Sequence, residues 1–89
     1  METANAHPQV LSSRDALIRE ALSAYLVWRQ ACAFLDEAWR RWRDAPSFAR
    51  ELPFELYTCE LEREARAARC YERLLAEGAA LQERDSSSA

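Results

Sequence analysis

Residues 24–35, with the sequence AYLVWRQACAFL, are apolar at ten of twelve positions, and no glycine or proline interrupts the chain between residues 9 and 45. A helix that packs on a single neighbour needs only one apolar stripe. A segment that is apolar on nearly every side therefore predicts a helix with more than one neighbour, in a chain of only 89 residues.

The start and end of this helix are marked by local signals. Ser12 is followed three residues later by Asp15, a pattern typical of a helix N-terminus. Pro46 disfavours helical geometry at the residue before it. We therefore expect helix 1 over about 12–45, with arginines in its last turns where positive charge complements the helix dipole.

The remainder of the chain divides into a connection, a second helix and two tails. Proline suits the first position of a helix, so Pro53 predicts that helix 2 covers about 53–84. This leaves a connection at about 46–52 and flexible tails at 1–11 and 85–89. Two helices of similar length joined by a short connection predict an all-α fold, an antiparallel two-helix hairpin that forms a single domain.

Helix 1 shows the spacing of a coiled-coil seam, in which apolar residues alternate at steps of four and three. This set is expected to pack inside the hairpin: Leu17, Ala21, Ala24, Trp28, Ala31, Leu35, Ala38 and Trp42. Helix 2 carries two apolar lines. One contains Phe54, Tyr57, Leu61, Ala68 and Leu75, and the other contains Leu56, Ala67, Cys70, Leu74 and Leu81.

Apolar residues outside the inner seam need a further cover. Two seams per helix predict two neighbours per helix, and two hairpins packed as a four-helix bundle provide them. A homodimer is the simplest closed form, and a different partner protein is the alternative. The predicted interface residues are Leu22, Leu26, Val27, Phe34, Leu56, Leu74 and Leu81.

Composition disfavours several classes of function. The net charge of −3 disfavours a nucleic-acid binder. The single histidine, His7, has no partners at metal-ligand or catalytic spacing, and no glycine-rich phosphate loop is present. The prediction is a protein that is not an enzyme and has no cofactor. Three cysteines without a pattern, and no apolar run long enough to span a bilayer, favour a cytoplasmic location.

Two smaller constellations are candidate sites. Hairpin geometry puts Arg29 within one turn of Glu64 and Glu72, which predicts an inner ion pair, with an all-carboxylate metal site as the alternative. Trp39, Arg40, Trp42 and Arg43 form a candidate partner-binding end on helix 1. Core packing with dipole capping, or anion and nucleic-acid binding, are the alternatives for this end.

Taken together, these patterns predict a small protein–protein interaction module, such as a scaffold, adaptor or regulatory subunit, that acts as a helical-bundle homodimer. A ligand- or cofactor-binding bundle, using the rings of Trp28, Trp39, Trp42 and the tyrosines, is the first alternative. Nucleic-acid binding through the arginine- and tryptophan-rich end of helix 1 is the second.

Overall fold

The computed structural model describes the backbone of residues 8–88 and the side chains of residues 13–84. The chain forms helix α1 (Pro8–Asp44), a 3-10 turn (Ser47–Ala49) and helix α2 (Glu51–Ser88), and the two long helices pack against each other. The predicted all-α helical hairpin is confirmed.

Contacts between the helices show that they run antiparallel. Trp42 near the end of α1 packs on Phe54 near the start of α2. Trp28 in the middle of α1 donates a hydrogen bond to Glu64 in the middle of α2. Leu17 lies close to Gly78, near the opposite ends of the two helices.

Both helices extend further than the sequence predicted. Of the tails predicted at 1–11 and 85–89, residues 8–11 and 85–88 have helical backbone, and the remaining tail residues lie outside the described part of the chain. Proline at the first helical position loses no hydrogen bond, so Pro8 can begin the helix ahead of the predicted serine cap.

The connection is shorter than the predicted 46–52. Pro46 has extended backbone angles, φ −67° and ψ 156°, and ends the helical path. The amide of Phe54 donates to the carbonyl of Arg50 at 3.0 Å, so α2 already begins at Glu51. Pro53 then lies in the first turn, where backbone amides have no helical acceptor, and its missing N–H costs nothing.

The eight α1 residues predicted to pack inside the hairpin are all buried or partly buried, as are Cys32 and Ala45. The most deeply buried are three alanines spaced seven residues apart, Ala24, Ala31 and Ala38, which are 8%, 2% and 8% exposed. The four-and-three spacing on α1 is confirmed as the inner seam.

The inner seam of α2 shares Ala67, Leu74 and Leu81 with the second predicted line and only Tyr57 with the first. Its positions also step by four and three: Pro53, Tyr57, Glu60, Glu64, Ala67, Tyr71, Leu74, Gly78 and Leu81. Thr58, Ala65, Ala68 and Cys70 beside the seam are partly buried as well. Two glutamates and a glycine thus occupy seam positions, while Phe54, Leu61 and Leu75 of the first predicted line are exposed. The predicted lines leave out Glu60 and Gly78 because they contain only apolar residues, whereas the predicted inner ion pair already includes Glu64.

The hairpin is a single layer of two helices with little interior. Its principal extents are 67 × 32 × 13 Å, and its radius of gyration is 20.1 Å, compared with about 12 Å for a compact domain of this length. Its accessible surface is 6940 Å², compared with roughly 5,400 Å² for a compact monomer of 10.3 kDa. Much apolar surface is therefore left uncovered.

The seam predicts a sharp sensitivity to side-chain size. Ala31→Leu inserts three carbon atoms at the most buried position and should lower the free energy of unfolding by about 1–3 kcal/mol. Ala33→Leu, the same change at an exposed position of α1, is the control and should have little effect. Urea denaturation at one fixed protein concentration measures both. Equal stabilities would contradict close packing at the alanines.

Candidate interaction surface

One face of the hairpin carries two uncharged rows of residues. On α1, the row consists of the residues that immediately follow four seam positions: Ile18, Tyr25, Cys32 and Trp39. On α2, the corresponding row is Phe54, Leu61, Ala68 and Leu75. Members of each row are seven residues apart, so each row follows the seam along its helix. We call these eight residues the apolar face.

The two rows lie on the same side of the hairpin. Successive helical residues are rotated by about 100°, so residues that follow seam positions all point to one side of the seam. Ile18 and Leu75, one from each row, line the same groove together with Ala79. The apolar face is therefore continuous across both helices.

The large side chains of this face are substantially exposed. Ile18 is 53% exposed, Leu75 is 50%, and Tyr25, Trp39, Phe54 and Leu61 are between 38% and 44%. Full burial of a side chain of this size is worth about 1.5–3 kcal/mol. A contiguous apolar surface without charges is typical of a protein interaction site.

The opposite side of the seam is mixed in charge. Its rows are formed by the residues that precede seam positions: Glu20, Val27, Phe34 and Arg41 on α1, and Leu56, Arg63, Cys70 and Glu77 on α2. Half of these are charged. A groove of about 410 Å³ on this mixed face is lined by Phe34, Leu52 and Leu56, with Glu37 and Arg41 beside them.

A second groove, of about 520 Å³, lies on the apolar face near the chain ends. Its lining includes Ile18, Ala21, Leu75, Gly78 and Ala79. At this level the seam has the small residues Ala21 and Gly78, and the seam leucines Leu17, Leu74 and Leu81 also line the groove. A β-carbon at Gly78 would meet only the Cδ2 atom of Leu17, at an ordinary 3.8 Å. We call this the terminal groove.

The seven predicted interface residues do not share one face. Leu74 and Leu81 are partly buried in the seam. Leu26 lies two residues from the seam positions on either side of it, so it points away from the partner helix, and it is 66% exposed. The others divide between the mixed face (Val27, Phe34, Leu56) and the margin of the apolar face (Leu22).

The rows of the apolar face carried a signal in the sequence, namely their seven-residue repeat. A wheel of 3.6 residues per turn drifts by about 20° per heptad relative to a seam with a repeat of 3.5. Over the three repeats between Ile18 and Trp39, this drift spreads one row across adjacent sectors of the wheel. Aligning the residues by heptads would have kept the row together.

The predicted inner ion pair is not formed. The indole Nε1 of Trp28 donates a hydrogen bond to Glu64 Oε2 at 2.8 Å, and Cys32 Sγ lies 4.0 Å from the same oxygen. Arg29 follows a seam residue, is exposed, and makes no ion pair with Glu64 or Glu72 among the described side chains. The tryptophan N–H takes the place that the arginine was expected to occupy.

Aromatic rings fill the seam on both sides of Glu64. Trp28 stacks on Tyr71 with ring centroids 6.0 Å apart, and Tyr25 packs on the same tyrosine at 5.5 Å. Towards the connection, Trp42 stacks on Tyr57 at 5.3 Å. Of the rings named for a ligand-binding bundle, all except Trp39 thus pack against a neighbouring ring, in two separate groups.

Carboxylates neutralise the arginines of the candidate partner-binding end. Arg40 pairs with Asp36 and Glu37, and Arg41 pairs with Glu37. These exposed pairs add little stability, but they reduce the attraction of this end for phosphate.

Arg43 completes this end of α1. Its Nε donates a hydrogen bond to Asp44 Oδ1 at 3.0 Å, and this bond holds the pKa of the carboxyl group below its usual range. The same guanidinium lies 4.8 Å from the ring centroid of Trp39, on the apolar face. Trp42 points into the seam. The four predicted residues therefore do not form one surface.

One carboxylate has an unusual environment. The Oε1 atom of Glu60, in the α2 seam, is shielded from solvent and accepts no hydrogen bond from the described residues. It lies 3.7 Å from Arg63 Nε. Elsewhere in residues 13–84, no three His, Cys, Asp or Glu side chains lie close enough together to hold a metal ion. Glu64 and Glu72 therefore do not belong to such a group.

Comparison of the chain with protein-family models, curated proteins and solved structures finds no match. Within the described residues, neither helix has a stretch both long and apolar enough to cross a bilayer. The function therefore has to be argued from the surface itself.

The Trp28–Glu64 hydrogen bond predicts an energetic coupling between its two residues. Trp28→Phe should cost about 1 kcal/mol more in the wild-type chain than in the Glu64→Leu background, because only the former loses the bond. Trp42→Phe does not touch this bond and should cost the same in both backgrounds. Chemical denaturation of the six chains gives these values. A coupling energy of zero between Trp28 and Glu64 would contradict the hydrogen bond.

Proposed function

We propose that the protein is a non-enzymatic protein–protein interaction module that forms a homodimer, in which the apolar faces of two hairpins pack together as a four-helix bundle. The observation that carries this proposal is the charge-free pair of heptad rows on one side of the hairpin. The bundle would serve as a scaffold, adaptor or regulatory subunit for further proteins.

The distribution of apolar positions supports a bundle. A helix that packs on one partner needs only the two seam positions of each heptad, whereas a helix inside a bundle uses a third position beside them. In α1 this third position is occupied by the row from Ile18 to Trp39, and in α2 by the row from Phe54 to Leu75. Neither row contains a charged residue. The rows on the mixed face contain four charged residues and lack this property.

The small amount of burial within one hairpin supports the same conclusion. Among the described side chains, only Ala24, Ala31 and Ala38 are buried, and the large side chains are at most partly buried. Small domains are marginally stable even when compact, and a two-helix layer leaves most of its large apolar side chains partly in water. A second layer on the apolar face would cover six of them per chain.

Several features support a homodimer with a cytoplasmic setting. The face is apolar on both helices, so it is complementary to itself and needs no oppositely charged partner. Cys32, Cys59 and Cys70 are free thiols, which suits a reducing compartment. A different protein of similar surface chemistry is the alternative occupant, and the mass of the purified chain separates the two.

Light scattering on a sizing column should give a mass of about twice 10.3 kDa for the wild-type chain at tens of micromolar. Leu61→Glu places a carboxylate on the apolar face and should raise the dimer dissociation constant by at least about 100-fold, since a buried unpaired charge costs several kcal/mol. The readout is the mass across a dilution series.

Leu26→Glu is the matched control, because it makes the same change on the outer edge of α1 and should leave the dimer intact. Circular dichroism reports whether each variant remains helical. A wild-type monomer, or a dimer that is lost with Leu26→Glu and kept with Leu61→Glu, would contradict the proposed interface.

A further inference from the structure

The structure also carries an inference about how the two copies are arranged, which rests on the proposed homodimer. We infer that the hairpins pack head to tail, so that the rings of Trp39 and Phe54, near the connection of each copy, fill the terminal groove of the other. The terminal groove is then one half of a site that only a second copy completes.

The groove and the rings lie at opposite ends of the same face. The groove, of about 520 Å³, has small residues at its base, Ala21, Gly78 and Ala79, with Ile18 and Leu75 beside them. The rings protrude at the other end, where Trp39 is 39% exposed and Phe54 is 44% exposed. One end of the face thus carries a groove, and the other end carries two exposed rings.

The rings are held in place by their neighbours within the hairpin. Phe54 packs on Trp42, with centroids 5.1 Å apart, and Trp39 carries the Arg43 guanidinium at 4.8 Å. Aromatic rings that are fixed before binding lose little conformational entropy, which makes them effective interface anchors. Their apolar surface matches a groove lined mainly by alanine, leucine and isoleucine.

The spacing along the helices suits a two-fold axis. Ile18 and Trp39 are 21 residues apart, about 32 Å at 1.5 Å per residue. The midpoint of this α1 row lies between Tyr25 and Cys32. A head-to-tail copy therefore sets Trp39 against Ile18 and the groove beside it, and sets the ring of Tyr25 against the smaller Cys32.

The midpoint of the α2 row lies between Leu61 and Ala68. A head-to-tail copy therefore sets the leucine of each chain against the alanine of the other. In the opposite, parallel arrangement, ring would meet ring and groove would meet groove, and the two facing grooves would leave a cavity that destabilises the pair.

The area of the face fits a stable dimer. A flat strip about 32 Å long and about 20 Å wide, the width of two packed helices, has an area on the order of 650 Å². Protruding side chains increase this area. A standard interface buries about 800 Å² per partner. The face therefore has the size that one second copy would cover.

Distances between spin labels test the arrangement directly. Phe48 lies in the connection and is 90% exposed, which makes Phe48→Cys the labelling site, in a background with Cys32→Ala, Cys59→Ser and Cys70→Ala. Double electron–electron resonance should give a separation of about 55 Å between the two labels, since the two connections lie at opposite ends of the bundle. A parallel arrangement puts them within about 25 Å.

Filling the groove tests the ring contact. Gly78→Leu occupies the groove from within and should raise the dimer dissociation constant at least about tenfold, whereas Ala80→Leu adds similar bulk at an exposed position and should leave it unchanged. Circular dichroism controls for loss of helix. Equal affinities of the two variants would overturn the ring contact.

The outcomes separate the arrangement from the dimer itself. A dimeric mass with a long label separation supports both proposals. A dimeric mass with a short separation overturns the head-to-tail arrangement and leaves the homodimer standing. A monomeric mass for the wild-type chain overturns the homodimer, and the arrangement with it.

Discussion

The close packing of Ala24, Ala31 and Ala38 against α2 is the contact on which the rest of the hairpin depends. Because these three residues are small and regularly spaced, the helices can approach one another along most of their length. Their small size also limits the stabilisation that the hairpin gains from burial, since alanine buries little apolar area. The result is a layer with a defined seam and large apolar side chains displaced to its sides.

Within that seam, polar groups help to define which residues meet. Glu64 would be costly at an inner position without a donor, and Trp28 provides one. The bond joins residues at the middle of both helices, so a shift of one helix along the other would leave an N–H and a carboxylate unpaired. Aromatic stacking of Trp28 on Tyr71, close to this bond, and of Trp42 on Tyr57, nearer the connection, adds further specific contacts between the helices.

The two sides of this layer have different chemistry, and this difference supports the proposed assembly. The two rows of the apolar face contain no charged residue, whereas the rows that precede the seam alternate glutamate and arginine with leucine and phenylalanine. Pairing through the apolar face would leave the mixed face, with its groove around Phe34 and Leu56, facing solvent. A module of this kind would have one face for its own copy and another available for other proteins.

Much of the fold was determined by the sequence alone. The absence of glycine and proline from residue 9 to residue 45, together with Pro46, is sufficient to predict a long first helix and a bend after it. The step of four and three from Leu17 to Trp42 identified the whole inner seam of α1, because there the apolar residues coincide with the buried ones.

The seam of α2 was decided only by the tertiary structure. Glu60 and Gly78 are poor candidates for an inner position when α2 is considered alone, and the sequence predicted Glu64 there only as a partner of Arg29. Trp28 supplies a donor to Glu64, and Leu17 lies beside Gly78. Once these positions turn inward, Phe54, Leu61 and Leu75 turn to one side and form half of the apolar face. An apolar pattern read along one helix cannot contain this information, because the pairing of a polar or missing side chain depends on the helix opposite.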